Sequence, residues 1–390
     1  MQPKISSVVR ALIPDIIRCR RFFHRHPEPG FKEFKTAAFI RQELKRIGIP
    51  CRTVAAPGIA ALLKVKGAKK TLLVRADMDA LPVQETARVA FRSQHRGFMH
   101  ACGHDAHMAM ALGAAKALTR LKDRLACNVK FMFQPAEEGP GGAQPMIRAG
   151  ILKNPKVDAA LALHVWSDLP SGVIGIRRRD ASFAAAQRFD LTITGPGGHG
   201  AAPHLCADSI LAAAEFVTSV QSVVSRRVNP LKPAVVTVGS LHAGSRSNII
   251  PGRADLRGTI RALDDTTLGQ LRREIARVLA GIDRLHGTRH TIEFSEFYPA
   301  VINDPVFSAL VADAALGVVG RRQVIEDPSS LGAEDMAFVL REVPGCYARL
   351  GIRDARQKTD VPHHSGGFKV DERVLPVGAE LIVQTALQYR

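Results

Sequence analysis

The chain has 390 residues, 46 % of them apolar and 23 % charged. That length exceeds what one compact core usually fills, so two domains or one domain with an insertion are expected, and no apolar stretch reaches the roughly 18 residues of a membrane helix. Lys and Arg (54) outnumber Asp and Glu (36), for a net charge of +18. The longest basic run is only Arg177–Arg179 and aromatics do not interleave the charges, so a solvated basic surface is expected, with neither nucleic acid nor membrane as a partner.

In chain order, MQPKISSVVRALIPDIIRCRR mixes charge with short apolar groups at helical spacing. It reads as a first domain helix rather than a secretory signal, which needs a continuous hydrophobic region and a small-residue cleavage pattern. Six cysteines (Cys19, Cys51, Cys102, Cys127, Cys206, Cys346) are scattered without a CxxC pair, so a reducing, cytoplasmic setting is expected.

Three apolar runs end in polar, ligand-type residues: TLLVRADMD (71–79), NVKFMFQPAEEG (128–139) and VDAALALHV (157–165). They read as buried strands. Sites in open α/β sheets lie outside the carboxyl ends of the strands, so Asp77, Asp79, Glu137, Glu138 and His164 are expected to converge on one edge. Between the first two runs, MHACGHDAH (99–107) leads into an Ala-, Leu- and Met-rich helix with Asp105 as its expected N-cap.

The pattern changes near Arg188. QRFDLTITG, ADSILAAAEFVTSVQSVVSRR, AVVTVGSLHAG, GRADLRGTIRAL, TTLGQLRREIARVLAGID and RHTIEFSEFYP read as strand, helix, strand, strand, helix, strand. That is the βαββαβ order of a ferredoxin-like domain. Strand-like CYARLG and a closing helix in ERVLPVGAELIVQTALQYR then return to the first pattern. The expected fold class is α/β: a catalytic domain in two pieces, 1–186 and 298–390, interrupted by a small α+β domain, 187–297.

A Cys-x-His pair alone is weak evidence for a metal, because helical histidines are mostly packed or solvated. Here it is joined by Glu137-Glu138, His164 and the HHS of 363–365, all at expected strand ends or loops. Thiolate, imidazole and carboxylate suit Zn²⁺, Mn²⁺, Co²⁺ or Ni²⁺ rather than Mg²⁺ or Ca²⁺, and the donors outnumber what one tetrahedral ion needs. Neighbouring glutamates in a loop point different ways, so one can hold metal while the other works as a base.

HRHPEPGFKE, LLVRADMDALPVQE, MHACGHDAHMAMALGAA, FQPAEEGPGGA, ALHVWSDLPSG, GPGGHGAAPH, NIIPGRADLRGTIR and LGAEDMA together resemble the zinc-dependent amidohydrolases that include hippurate hydrolase and the indole-acetyl-amino-acid hydrolases, within the aminoacylase and carboxypeptidase clan of metallopeptidases. The resemblance runs from about His24 to the C-terminus. It implies a two-domain metallopeptidase-like fold whose inserted domain is a lid that commonly mediates dimerisation, and two divalent metal ions per chain (Mn, Zn, Co or Ni).

The family's metal ligands fall on Cys102, His104, Glu138, His164 and His364, its general base on Glu137, and the aspartate that supports the metals from behind on Asp79. Asp77 is left between that role and a loop-stabilising hydrogen bond. His100 and His107 match motif positions without a necessary ligand role. Two glycines after His364, where many relatives have a proline and a basic residue, leave a choice between His363 and His364, with His364 preferred. In the lid, the catalytic histidine falls on His199, and the residues that handle the substrate carboxylate on Asn248 and Arg261.

The implied reaction is hydrolysis of the amide bond of N-acyl amino acids, of hippurate or N-acetyl type, by a homodimer or homotetramer. Glu137 would take a proton from water and return it to the leaving nitrogen. The alternatives are a dipeptidase or carboxypeptidase, a biosynthetic deacetylase of the same clan, and a basic binding protein that kept the scaffold without the activity.

Overall fold

In the computed structural model, which describes residues 3–390 apart from the side chain of Glu296, the chain forms two compact units. The first comprises residues up to Asp180, then Ile302–Pro328 and Asp335–Arg390; the second comprises Ala181–Val301 and Ser329–Glu334. These limits differ from the expected 186/187 and 297/298. The change of pattern near Arg188 lies inside a strand, Ala185–Thr194. The backbone just before it is tied to 329–334: Ser330 N–H donates to Ser182 O (2.9 Å) and Ala184 N–H to Gly332 O (3.0 Å).

The first unit is built on an eight-stranded mixed sheet, in the order Cys51–Thr53, Ile59–Leu63, Asn128–Gln134, Thr71–Asp77, Ala159–Pro170, Gly345–Arg353, Ile174–Ile176, Val324–Glu326. The four central strands run parallel. Every residue of Thr71–Asp77 and of Asn128–Gln134 is buried, which is why both read as continuous apolar runs: a parallel sheet is covered on both faces. Helix His104–Arg120 is buried from His104 to Leu118, and an alanine-rich sequence lets its neighbours Ile13–Arg25 and Leu375–Gln388 pack against it. No described helix is long and apolar enough to cross a membrane.

Register places the site. Asp77 pairs with Gln134 and Arg75 with Ala162, so Asp77, the first residues after Gln134, and His164 reach one level at the carboxyl ends of adjacent strands.

The second unit carries a four-stranded antiparallel sheet in the order Ala234–Ala243, Arg253–Ala262, Ala185–Thr194, Arg289–Tyr298. Helices Ser209–Ser219 and Asp265–His286 complete a βαββαβ order. The long helix expected through Arg227 is regular over Ser209–Ser219 and, after a turn at Val220, stays helical into the wider-wound Val223–Arg227.

Candidate metal centre

The turn that opens helix His104–Arg120 sets the first donors. Gly103, not Asp105, occupies the N-cap position, with φ 89°. A β-carbon there would lie 2.3 Å from Val165 Cγ2, so both the left-handed backbone and the close approach require glycine. Cys102 and His104 flank it and are buried. The expected capping carboxylate lies inside the first turn: Asp105 Oδ2 accepts from Arg20 Nε (2.9 Å) and His24 Nδ1 (2.8 Å), and Oδ1 from the adjacent Ala106 N–H (2.9 Å).

The histidines divide by what their ring nitrogens already do. A carbonyl can only accept, so a ring nitrogen facing one carries a proton and leaves its partner nitrogen as the one whose lone pair a metal can take. His104 Nδ1–H donates to the Asp79 carbonyl (2.9 Å) with Asp79 Oδ1 at 3.2 Å, while its buried Nε2 has no hydrogen-bond partner. His164 Nδ1–H donates to Val165 O (2.6 Å) and turns Nε2 to within 3.5 Å of Cys102 Sγ. Both present the lone pair a metal takes, held by an oxygen on the opposite nitrogen.

His107 and His363 are spent. His107 Nδ1–H donates to Asp77 Oδ1 (2.6 Å), and its Nε2 accepts from Val165 N–H (2.9 Å). His363 Nε2–H donates to Val165 O (3.1 Å), and Nδ1 accepts from Ser167 Oγ (3.0 Å). His364 instead sits with Nε2 3.0 Å from Glu138 Oε1, its backbone N–H on Ala101 O (2.9 Å). The structure therefore brings His364, and not His363, to Cys102 and Glu138.

Two donor groups result, each with its ligand atoms within 4.8 Å of one another: Cys102, Glu138 and His364; and His104, Glu137 and Glu138. Glu138 belongs to both. Glu137 Oε2 is 4.0 Å from His104 Nε2. A third grouping at the same spacing, Asp77, His104, His107 and His164, is fully buried, but Asp77 spends one oxygen on His107 and the other on Arg75 Nη1 (2.6 Å). Asp77 and His107 thus brace the site from behind. Asp79 braces it too, holding His104 from one oxygen and Glu138 N–H from the other (3.0 Å).

The electrostatics call for a cation. Burial opposes charge on His104, yet Asp77, Asp79 and Glu138 outweigh it and raise its pKa to about 10, so that without a metal Nε2 also holds a proton, which a bound cation would displace. Burial, then Glu138 and Glu137, push the Cys102 thiol well above its ordinary value. Burial, then His107, holds His164 well below its own. Carboxylates thus crowd a thiol and imidazoles, a donor set of hard and soft character that fits a divalent transition ion. The orphaned Nε2 of His104 is the observation that most directly fits such an ion.

A supporting network escaped the sequence reading. Arg75 joins Asp77, Gln134 Oε1 (2.9 Å) and Asp335 Oδ1 (3.1 Å), and Gln134 Nε2 donates to both oxygens of Asp335 (2.8 and 2.7 Å). Ala143 N–H closes on Asp335 Oδ2 (3.0 Å). The signal was present: an arginine inside the apolar run LLVRAD needs buried acceptors.

In the second unit, Ile249 pairs with His199, and Gly200 N–H donates to Asn248 O (2.9 Å), so His199 and Asn248 are neighbours. His199 Nδ1 accepts from Ala201 N–H (3.0 Å). Arg261 lies on strand Arg253–Ala262, with Nη1 on Leu331 O (2.8 Å).

Comparison with known proteins agrees with this geometry. Residues 73–388 match the model of peptidase family M20/M25/M40. Thermostable carboxypeptidase 2 of Saccharolobus solfataricus is 37 % identical, over 96 % of this chain and 95 % of its own. IAA-amino acid hydrolase ILR1-like 4 of Arabidopsis thaliana is 35 % identical, over 96 % and 85 %. The crystal structure of the Bacillus subtilis YXEP protein, described as a dinuclear metal-binding peptidase of the M20 family, superposes with a TM-score of 0.85 at 31 % identity, covering 97 % of this chain and 98 % of that one. With a family match over most of its length and relatives similar from end to end, the chain belongs to peptidase family M20/M25/M40 and is a metal-dependent amidohydrolase of that family.

Proposed function

We propose that the protein hydrolyses the amide bond of N-acyl amino acids, releasing a carboxylic acid and an amino acid. The observation that carries this reading is the adjacent pair Glu137-Glu138, set against the open lone pair of His104 and against Cys102 and His364. Cys102, His104, Glu138, His164 and His364 would hold two divalent ions, which supply Lewis acidity that polarises a carbonyl and brings the pKa of water near neutrality. Glu137, next to the ligands without needing to be one, takes the proton from water and delivers it to the leaving nitrogen. Asp79 keeps the His104 lone pair aimed.

The ferredoxin-like second unit would act as a lid and dimer-forming domain, with His199 stabilising the oxyanion and Asn248 and Arg261 holding the substrate carboxylate. Support for an interface there comes from exposed Leu205, Leu211 and Leu231, apolar side chains that a partner subunit would cover. Six free cysteines suit a cytoplasmic setting.

The test is turnover against N-acetyl and N-benzoyl amino acids and dipeptides, after reconstitution with Mn²⁺, Zn²⁺, Co²⁺ or Ni²⁺. N-acyl amino acids should be cleaved fastest. Cleavage of dipeptides alone would move the assignment to the dipeptidase or carboxypeptidase alternative.

A further inference from the structure

The loop that carries Glu137 and Glu138 begins with an unusual residue. Ala136 has φ 53°, a left-handed conformation that an alanine rarely adopts. Its N–H donates to Glu33 Oε1 (2.8 Å). Glu33 comes from the far side of the sequence, at the N-cap position of helix Phe34–Arg46, yet its side chain caps nothing there. It is wholly buried, and its second oxygen has no hydrogen-bond partner. Burial raises its pKa to about 8, with Asp79 and Glu28 adding to the effect.

A buried carboxyl group satisfied on one oxygen only is a poor device for stability. Beyond its own backbone N–H, its partner is the backbone N–H directly before Glu137. Gly30, three residues upstream, lets the chain pass so close that a β-carbon on it would lie 2.9 Å from Ala136 Cβ and 3.0 Å from Gly139 O. The segment 30–33 thus clamps the turn from one side, while Asp79 holds Glu138 N–H from the other.

We propose that Glu33 is a positioning residue: its acceptor oxygen fixes the left-handed turn at Ala136 and so aims Glu137 and Glu138 at their separate tasks. The inference rests on the function proposed above for that pair. What Glu33 supplies is an oxygen at the right reach, not a charge.

The substitutions follow from that. Glu33→Gln keeps the acceptor and should keep most of the turnover. Glu33→Asp is too short and Glu33→Leu has no acceptor, so both should lose about 10- to 100-fold in kcat and in metal affinity, the range seen when groups that orient ligands are removed. Glu33→Leu removes a half-satisfied buried carboxyl but leaves the buried Ala136 N–H without its acceptor, opposing effects of similar size, so its Tm should stay within a few degrees of wild type. Gly30→Ala disturbs the same turn without touching Glu33, should lose activity in the same way, and carries the test if Glu33→Leu does not fold.

Metal affinity is read from Co²⁺ quenching of Trp166, the single tryptophan, whose ring centroid is 5.5 Å from that of His164. That titration needs no substrate. A Glu33→Leu protein with unchanged kcat and affinity, or Gln, Asp and Leu variants that all lose Tm and activity in step, would overturn the inference and leave the proposed function standing. Wild-type protein inert toward every N-acyl amino acid, with the variants still separated in the titration, would do the reverse.

Discussion

The two sheets of this protein use polar residues under different rules. In the eight-stranded sheet, Thr71–Asp77 and Asn128–Gln134 are buried from end to end, so a polar residue there must have its partners built in. Arg75, Asp77 and Gln134 do, and the chain of contacts from them leads through His107 to the metal donors. In the four-stranded sheet, strand Ala234–Ala243 has only Val236 buried, and charged pairs such as Arg253–Asp255 lie open to water. A polar residue is informative in the first sheet and ordinary in the second.

The sharpest way to break this contrast lies at the site that the first sheet supports. Glu137→Gln preserves shape and removes basicity; kcat should fall about 10²- to 10⁴-fold while the metal content stays at the wild-type level. A variant with near-normal kcat would make Glu137 a bystander. Next comes the arginine inside the apolar strand. Arg75→Leu strands Asp77 and Asp335 without their cation, and breaking a buried pair of this kind costs about 3–5 kcal/mol, which thermal or denaturant unfolding would register.

A smaller effect should appear in pH dependence. His24 lies between Asp105 (2.8 Å) and Glu85 (3.1 Å), so both its nitrogens carry protons. Burial opposes that charge, but the two carboxylates raise its pKa above the ordinary value. For Asp105, burial is outweighed by Arg20 and His24, which hold its carboxyl well below the usual range. The Asp105 contribution is full above its unfolded pKa and is lost as pH falls through the depressed folded value. The His24 contribution is full below its unfolded pKa and is lost as pH rises through the raised one. The stability difference between wild type and Asp105→Asn should therefore be largest between about pH 4 and 6.5 and shrink on both sides. A difference constant from acid to alkaline pH would contradict the network.

The smallest stability effect is expected in the second sheet. Arg261 is half-buried with one hydrogen bond to Leu331 O, so Arg261→Ala should cost about 0.5–1.5 kcal/mol of stability, the net worth of such a bond, while raising KM chiefly for substrates with a free carboxylate. A large loss of stability would mean that Arg261 belongs with the buried polar residues of the first sheet.

This asymmetry also decides what could be read from sequence. The apolar runs ending at Asp77 and Gln134, the MHACGHDAH turn and the βαββαβ order are patterns of burial and spacing, and these were legible. His199, Asn248 and Arg261 sit in loops and on an alternating strand, where histidine, asparagine and arginine are ordinary surface residues, so only resemblance singled them out. The capping role expected of Asp105 failed because the turn before the helix demands glycine and because Arg20 and His24 claim the carboxylate. Resemblance preferred His364 to His363 without a physical reason, because the difference between them is which ring nitrogens are already bonded, and that depends on Ser167 and Val165 nearly two hundred residues away. Glu33 stood in the sequence only as the last residue of the motif HRHPEPGFKE, with no role attached: a glutamate near a helix start is a common surface residue until the loop from Ala136 is seen to close on it.

The central claim is that a histidine with both ring nitrogens bonded to groups outside the donor set, as in His107 and His363, holds no metal however near the cluster it lies. The most direct measurement is divalent metal per chain, by elemental analysis after reconstitution, for wild type, His104→Ala and His363→Ala. The account predicts up to two ions in the wild type, loss of metal in His104→Ala, and wild-type content in His363→Ala. Wild-type protein without metal, or loss in His363→Ala with full content in His104→Ala, would contradict it.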